Sequence, residues 1–347
     1  MHKYVISILM LAGLSCAAAQ AADSVGFREI TLPSGETGRT LHVSLWYPTD
    51  DGGPLTLVGE NPAFLGLSVA KDAKPKSGFH PLVVMSHGYG GSWRNQSWLA
   101  GELVRHGFVV AAPDHPGTTN FDKRPSEAKR LWERPRDLSR VIDALTTNSD
   151  LAGGIATNRI AAVGHSLGGW TVLELAGGRF EADRLAEDCK THSDLASCTV
   201  FTEIGTGRDA SSRAALADDL KDDSISAVVS LDLGLARGFA PASLAAIRIP
   251  LLVFAAGTDT VDLPAKLESG YLMDSLPAAT SRYVEIADAT HFSFMQLCKP
   301  GAIALIEEET PGDGIVCEDG GERDRAAIHR QVADAIIAFL AGALPPD

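Results

Sequence analysis

The stretch R-I-A-A-V-G-H-S-L-G-G-W, residues 159–170, ends an apolar run in a serine held between Gly164 and Gly168. The run I-A-A-V reads as a buried strand, and W-T-V-L-E-L, from Trp170, as the helix that follows. A serine at so abrupt a strand-to-helix turn has the G-x-S-x-G pattern of a nucleophile elbow. Small residues at 164 and 168 let the strand and helix pass close together, and Gly169 adds room. The helix N-terminus beyond the serine favours developing negative charge. Ser166 is therefore the candidate nucleophile.

An isolated seryl hydroxyl is a poor nucleophile. It needs a base to take its proton, a group to orient that base, and donors for an oxyanion. The glycine-rich stretch M-S-H-G-Y-G-G (85–91) follows another apolar run and can turn a backbone N–H toward the serine. The expected oxyanion donors are thus the backbone N–H groups of Tyr89 and Leu167. The base is expected late in the chain, after the last strands, in the order Ser, acid, His. His291, in D-A-T-H-F-S-F just beyond the strand Y-V-E-I, meets that requirement. His165 adjoins the serine, His192 lies in a polar insertion, His329 lies in the closing helix, and the others precede the serine.

The acid is ambiguous. Asp259, in F-A-A-G-T-D-T-V-D-L-P, ends the strand before the histidine strand, and Asp232, in A-V-V-S-L-D-L-G, ends the strand before that. Both would lie at carboxyl ends of parallel strands, where such sites are built. Asp259 is the expected acid, with Asp232 as the alternative and Asp262 as a weaker third candidate.

Around these residues, apolar runs alternate with helical periodicity. R-T-L-H-V-S-L-W-Y-P (39–48), L-V-V-M-S (82–86), F-V-V-A-A-P (108–113), I-A-A-V-G-H (160–165), A-V-V-S-L (227–231), L-L-V-F-A-A (251–256) and Y-V-E-I (283–286) read as strands. Trp98, Leu99, Leu103 and Val104 have helical spacing, as do Leu138, Val141, Ile142 and Leu145, and Ile328, Val332, Ile336, Phe339 and Leu340. Strands separated by helices imply a mostly parallel sheet covered on both faces. Residues 178–224 break the rhythm: they are polar and acidic, and read as an inserted cap or lid.

The N-terminus M-H-K-Y-V-I-S-I-L-M-L-A-G-L-S-C-A-A-A-Q-A-A-D has a basic start, a short apolar run and small-x-small sites. Residues 1–22 are expected to be a signal peptide, with 23–347 the folded domain and the periplasm or medium its destination. With the signal removed, no membrane span is expected. Cys189, Cys198, Cys298 and Cys317 then remain, an even number that favours disulfides in an exported chain. Short loops suggest Cys189–Cys198 and Cys298–Cys317. No cysteine–histidine cluster has zinc spacing, so neither a metal nor a cofactor is expected.

The 347 residues are 45% hydrophobic and 21% charged, which is ordinary globular composition. The formal charge of −14 argues against nucleic acid and anionic membrane surfaces as partners, and is silent on a neutral small-molecule or lipid ester.

S-H-G-Y-G-G, A-P-D-H-P-G, G-H-S-L-G-G and T-H-F-S-F fall in the order found in the α/β-hydrolase superfamily, and the resemblance spans roughly residues 27–342. Within it, S-H-G-Y-G-G, R-H-G-F-V-V-A-A-P-D-H and G-H-S-L-G-G resemble secreted esterases related to platelet-activating-factor acetylhydrolase and dienelactone hydrolase. The likeness implies an α/β-hydrolase fold with an inserted cap and a cofactor-free serine hydrolase of carboxylic esters. A true dienelactone hydrolase has cysteine where this chain has Ser166. The likeness also leaves the acid open. Acetylhydrolase-like enzymes place it at the position matching Asp232, and cutinase-like polyester hydrolases at the position matching Asp259, with a tyrosine matching Tyr89.

Overall fold

Uninterrupted apolar runs form the middle of the sheet, because a strand covered on both faces buries every side chain. The computed structural model describes residues 24–35 and 38–345; the expected signal peptide, 1–22, lies outside the described residues. The strands are β1 (Ser24–Leu32), β2 (Leu41–Thr49), β3 (Leu55–Val58), β4 (Leu67–Lys71), β5 (Phe79–Ser86), β6 (Val109–Asp114), β7 (Gly154–His165), β8 (Ile225–Leu231), β9 (Leu251–Ala256) and β10 (Ser281–Ile286). The helices of the first half are α1 (Ser97–Arg105), α2 (Pro125–Ala128), α3 (Glu133–Thr147) and α4 (Leu167–Leu175). Those of the second are α5 (Ala182–Asp188), α6 (Ala196–Ile204), α7 (Ala210–Leu216), α8 (Pro241–Ala246), α9 (Ser269–Met273), α10 (Ala302–Glu309) and α11 (Arg325–Ala343).

All ten strands join one sheet in the order β10-β9-β8-β7-β5-β6-β2-β1-β4-β3. From β10 to β6 every neighbouring pair is parallel. β2 runs antiparallel to both β6 and β1, so the expected mostly parallel sheet carries an antiparallel extension. The sequence reading finds β2 and the six parallel strands; β1, β3 and β4 on that outer edge are additions.

The two faces of the central strands feed separate cores. Leu82 and Val84 of β5 pack with Leu138 and Val141 of α3 and Trp170 and Leu173 of α4. Val83 and Met85 pack on the other face with Leu99 and Leu103 of α1 and Ile328, Val332 and Ile336 of α11. Full burial of each such aliphatic side chain contributes about 1.5–3 kcal/mol. α11 is long and apolar enough to cross a membrane by composition, yet Ile328, Val332, Ile336 and Leu340 are all wholly buried in this core.

Residues 178–224 contain α5, α6 and α7, between α4, the helix after Ser166, and β8. Two disulfides, Cys189–Cys198 and Cys298–Cys317, have Cα separations of 5.6 and 5.8 Å and match the pairing expected from the short loops. The first lies within this inserted segment; the second closes the loop after His291.

Candidate active site

β7 ends at His165, and α4 begins at Leu167, so a single residue makes the turn. Ser166 takes φ 56° and ψ −121° there, a left-handed conformation that costs a non-glycine residue energy. The turn is held by Ser166 N–H donating to the Leu231 carbonyl on β8 at 3.0 Å. It also requires its two glycines. A Cβ on Gly164 would strike the Gly168 carbonyl, and a Cβ on Gly168 would strike the Ser86 carbonyl. β7, α4 and the end of β5 therefore meet at atomic contact.

His291 opens a short 3-10 turn, His291–Phe294, beyond β10. Its Nδ1 lies 2.7 Å from Asp232 Oδ2. A carboxylate can only accept, so in the neutral imidazole Nδ1 carries the proton and Nε2 the lone pair. The other Asp232 oxygen accepts the Ala256 N–H of β9 at 2.8 Å, so both oxygens are fixed. Asp232 is 2% exposed and has φ 45°, a turn that folds its side chain back over the sheet end.

Asp259 does not reach His291. It is exposed, and its Oδ1 accepts the N–H groups of Val261 and Leu263 at 3.1 and 2.9 Å, capping its own loop. Asp259, the expected acid, is therefore not the carboxylate brought to His291; Asp232, the alternative, is. A turn carboxylate bonds the backbone two residues on, and that local geometry wins here. Asp262 is also exposed; its backbone carbonyl accepts the Ala196 N–H of α6.

The histidine loop is braced from behind. His165 Nε2 donates to the His291 carbonyl at 2.9 Å, with ring centroids 4.7 Å apart. Burial, reinforced by His291, pushes the His165 imidazole down to about 3, so it stays neutral. Thr290 Oγ1 donates to the Glu318 carbonyl at 2.9 Å, next to Cys317 of the second disulfide. From the sequence, His165 is only a neighbour of the serine; its brace on the histidine loop has no sequence signature.

Ser166, His291, Tyr89 and Leu167 all line one cavity of about 200 Å³. Its remaining wall is largely apolar, with Leu235, Val261, Leu263 and Phe292 from outside the insertion and Ala196 and Val200 from α6. The insertion thus supplies a wall of the cavity. It is fastened there by Ser197 Oγ, which donates to buried Glu268 at 2.6 Å and accepts the Leu235 N–H at 2.9 Å, and by the Arg237–Asp188 ion pair. Burial drives the Tyr89 phenol upward, and Glu203 of α6 adds to that shift. The described residues contain no cluster of histidine, cysteine and carboxylate side chains suited to a metal ion.

Fold and elbow together define an α/β hydrolase. Residues 83–304 match the alpha/beta hydrolase family, and the chain belongs to it. Among curated proteins it is 26% identical over 214 residues to cutinase est1 of Thermobifida alba, covering 61% of this chain and 53% of that one. It is 26% identical over 290 residues to the bis(hydroxyethyl) terephthalate hydrolase of Streptomyces coelicolor, covering 83% and 74% of the two chains. The chain spans about half the length of the cutinases it matches, 53% in that first case. Among solved structures, a ferulic acid esterase from Streptomyces cinnamoneus superposes with a TM-score of 0.64 at 19% identity, over 95% of this chain and 94% of that one, a likeness of fold.

Proposed function

We propose that this chain is an exported serine esterase that cleaves carboxylic esters through an acyl-enzyme. Ser166 attacks the ester carbonyl while His291 Nε2 takes its proton. Asp232 holds the imidazole in the reactive tautomer and stabilises the imidazolium that forms. The N–H groups of Tyr89 and Leu167 receive the oxyanion. The imidazolium returns its proton to the leaving alcohol. Water, deprotonated by His291, then releases the acid and frees Ser166.

One observation carries this reading: a histidine whose Nδ1 is fixed on a buried carboxylate opens onto the same cavity as a strained elbow serine. Relatives named as cutinases and a bis(hydroxyethyl) terephthalate hydrolase support an ester substrate. The two disulfides support an oxidising destination, in keeping with the expected signal peptide. Residues 178–224 act in this proposal as a cap that shapes the acyl pocket. An orienting acid at Asp232 is the placement found in acetylhydrolase-like esterases.

The test is hydrolysis of p-nitrophenyl acetate, butyrate and octanoate, and of bis(hydroxyethyl) terephthalate, by the protein and by Ser166→Ala. Turnover of at least one ester that vanishes in Ser166→Ala is expected. Equal turnover by the variant would refute the serine mechanism. A cavity of about 200 Å³ favours the shorter acyl chains.

A further inference from the structure

Arg134 of α3 is 1% exposed, and its guanidinium lies directly behind the catalytic turn. One terminal nitrogen, NH2, donates to the His87 carbonyl and to Ser86 Oγ. The other, NH1, donates to Thr118 Oγ1 at 2.6 Å. Nε donates to Thr171 Oγ1 at 2.9 Å, and Thr171 Oγ1 in turn donates to the Leu167 carbonyl at 3.0 Å. The Thr118 carbonyl accepts the Gly90 N–H at 2.9 Å. Tyr89 is therefore anchored on both sides, through His87 before it and Gly90 after it, and Leu167 is anchored through Thr171. Each anchor leads back to the same guanidinium.

We propose that Arg134 is a positioning residue that sets the two oxyanion donors, Tyr89 N–H and Leu167 N–H, against each other. These donors lie on different segments, the loop after β5 and the first turn of α4 after β7. The strands themselves pair at Ser86 and Gly164, and Arg134 ties together the segments beyond them. A planar fork with donors pointing three ways does so, which a flexible ammonium cannot. Hydrogen bonds from a buried cation are stronger than neutral ones, so the frame resists the recoil of a developing oxyanion. Arg134 touches no substrate; it acts through Tyr89 and Leu167. The sequence R-P-R-D within an amphipathic helix carries no sign of this role.

This inference rests on the esterase reading above. The experiment compares Arg134→Gln, Arg134→Lys and Thr171→Val with the unaltered protein. Three quantities are measured on each: kcat and KM for p-nitrophenyl butyrate, thermal midpoint, and inhibition by a phenylboronic acid. In that inhibitor complex the Ser166 oxygen adds to boron, its proton passes to His291, and the tetrahedral anion occupies the oxyanion position.

Removing a whole oxyanion donor costs about 10²–10³ in kcat, so misplacing both by a fraction of an ångström should cost about 10–100-fold. The expected result is that loss in kcat for Arg134→Gln and Thr171→Val, with KM nearly unchanged and boronate affinity falling in parallel. Arg134→Lys should fall between Arg134→Gln and the unaltered protein. Thr171→Val keeps shape and volume, so it decides the matter if Arg134→Gln fails to fold. Folded variants with unchanged kcat, or with the loss confined to KM and boronate affinity intact, would overturn the inference while leaving the esterase reading standing. If the unaltered protein neither turns over esters nor binds the boronate, the esterase reading falls and takes this inference with it.

Discussion

Among the described residues two serine–histidine–aspartate groupings stand out, and the proposed chemistry belongs to only one of them. Ser86 Oγ lies 3.0 Å from His115 Nε2, and His115 Nδ1 lies 3.0 Å from Asp137 Oδ2. In connectivity this is a complete triad. Yet Ser86 and His115 are wholly buried and Asp137 is 1% exposed, while the Ser166 and His291 side chains open onto a cavity. The electrostatics differ as well. Burial, then Arg134 and Arg39, hold the His115 imidazole well below its ordinary range. A base must gain a positive charge as it works, and two guanidiniums forbid that at His115. Asp137 is already engaged by Arg39 at 2.8 Å, so it has little charge to lend. In the proposal above, the buried array is a frame, part of the setting that holds the oxyanion loop. Residue types and spacing do not make a triad; access and the sign of the surrounding charge do.

The comparison can be broken at several points. Ser166→Ala has the largest expected effect, a loss of about 10⁶-fold in kcat, read by ester hydrolysis. Asp232→Asn should cost about 10⁴-fold, because an amide in place of the carboxylate favours the wrong imidazole tautomer. Asp259→Asn, altering only a loop cap, should stay close to the unaltered rate in the same assay. Collapse of Asp259→Asn with Asp232→Asn intact would mean that the histidine takes its acid from the other strand.

Ser86→Ala sharpens the contrast from the other side. It leaves a buried His115 nitrogen and an Arg134 N–H without the hydroxyl they share, which should lower unfolding stability by about 1–3 kcal/mol in denaturant titrations. The enzyme should remain active, since Ser86 has no access to substrate.

The smallest effect concerns His329, a buried neutral histidine outside both arrays. It stacks on Trp98 with centroids 3.7 Å apart and donates from Nε2 to the Ser293 carbonyl at 3.0 Å. Burial, with Arg325 adding to it, pushes its imidazole down to about 3. Because the folded value lies below the unfolded value of 6.5, the unfolded chain binds the extra proton between pH 6.5 and 3. Stability is therefore present above pH 6.5 and lost as pH falls through that window, by at most about 1.4 kcal/mol per pH unit. His329→Phe keeps the stack and removes the proton site. Its thermal midpoint should fall less steeply than that of the unaltered protein between pH 6.5 and 4.5; parallel curves would show that His329 titrates normally.

Much of this was legible in the residues. The elbow, the apolar runs of the parallel strands and a late histidine after β10 each follow from local chemistry. The edge strands were not: β3 leaves Leu55 and Leu57 exposed, so no core pattern marks it. The acid was not legible either, because Asp232 and Asp259 both end parallel strands and both sit in turn-forming sequence. What separates them is backbone conformation. Asp232 enters the left-handed region and swings over Ala256, while Asp259 folds onto its own loop. Arg134 was hidden for a related reason: its partners are scattered from residue 86 to residue 171.

The most direct test of the central claim is to treat the folded protein with a fluorophosphonate at neutral pH and map the adduct by tryptic mass spectrometry. The account predicts one adduct, on Ser166 in the peptide spanning residues 160–179, and none on Ser86 in the peptide spanning 77–94. An adduct on Ser86, or an active esterase that takes no label at Ser166, would contradict it.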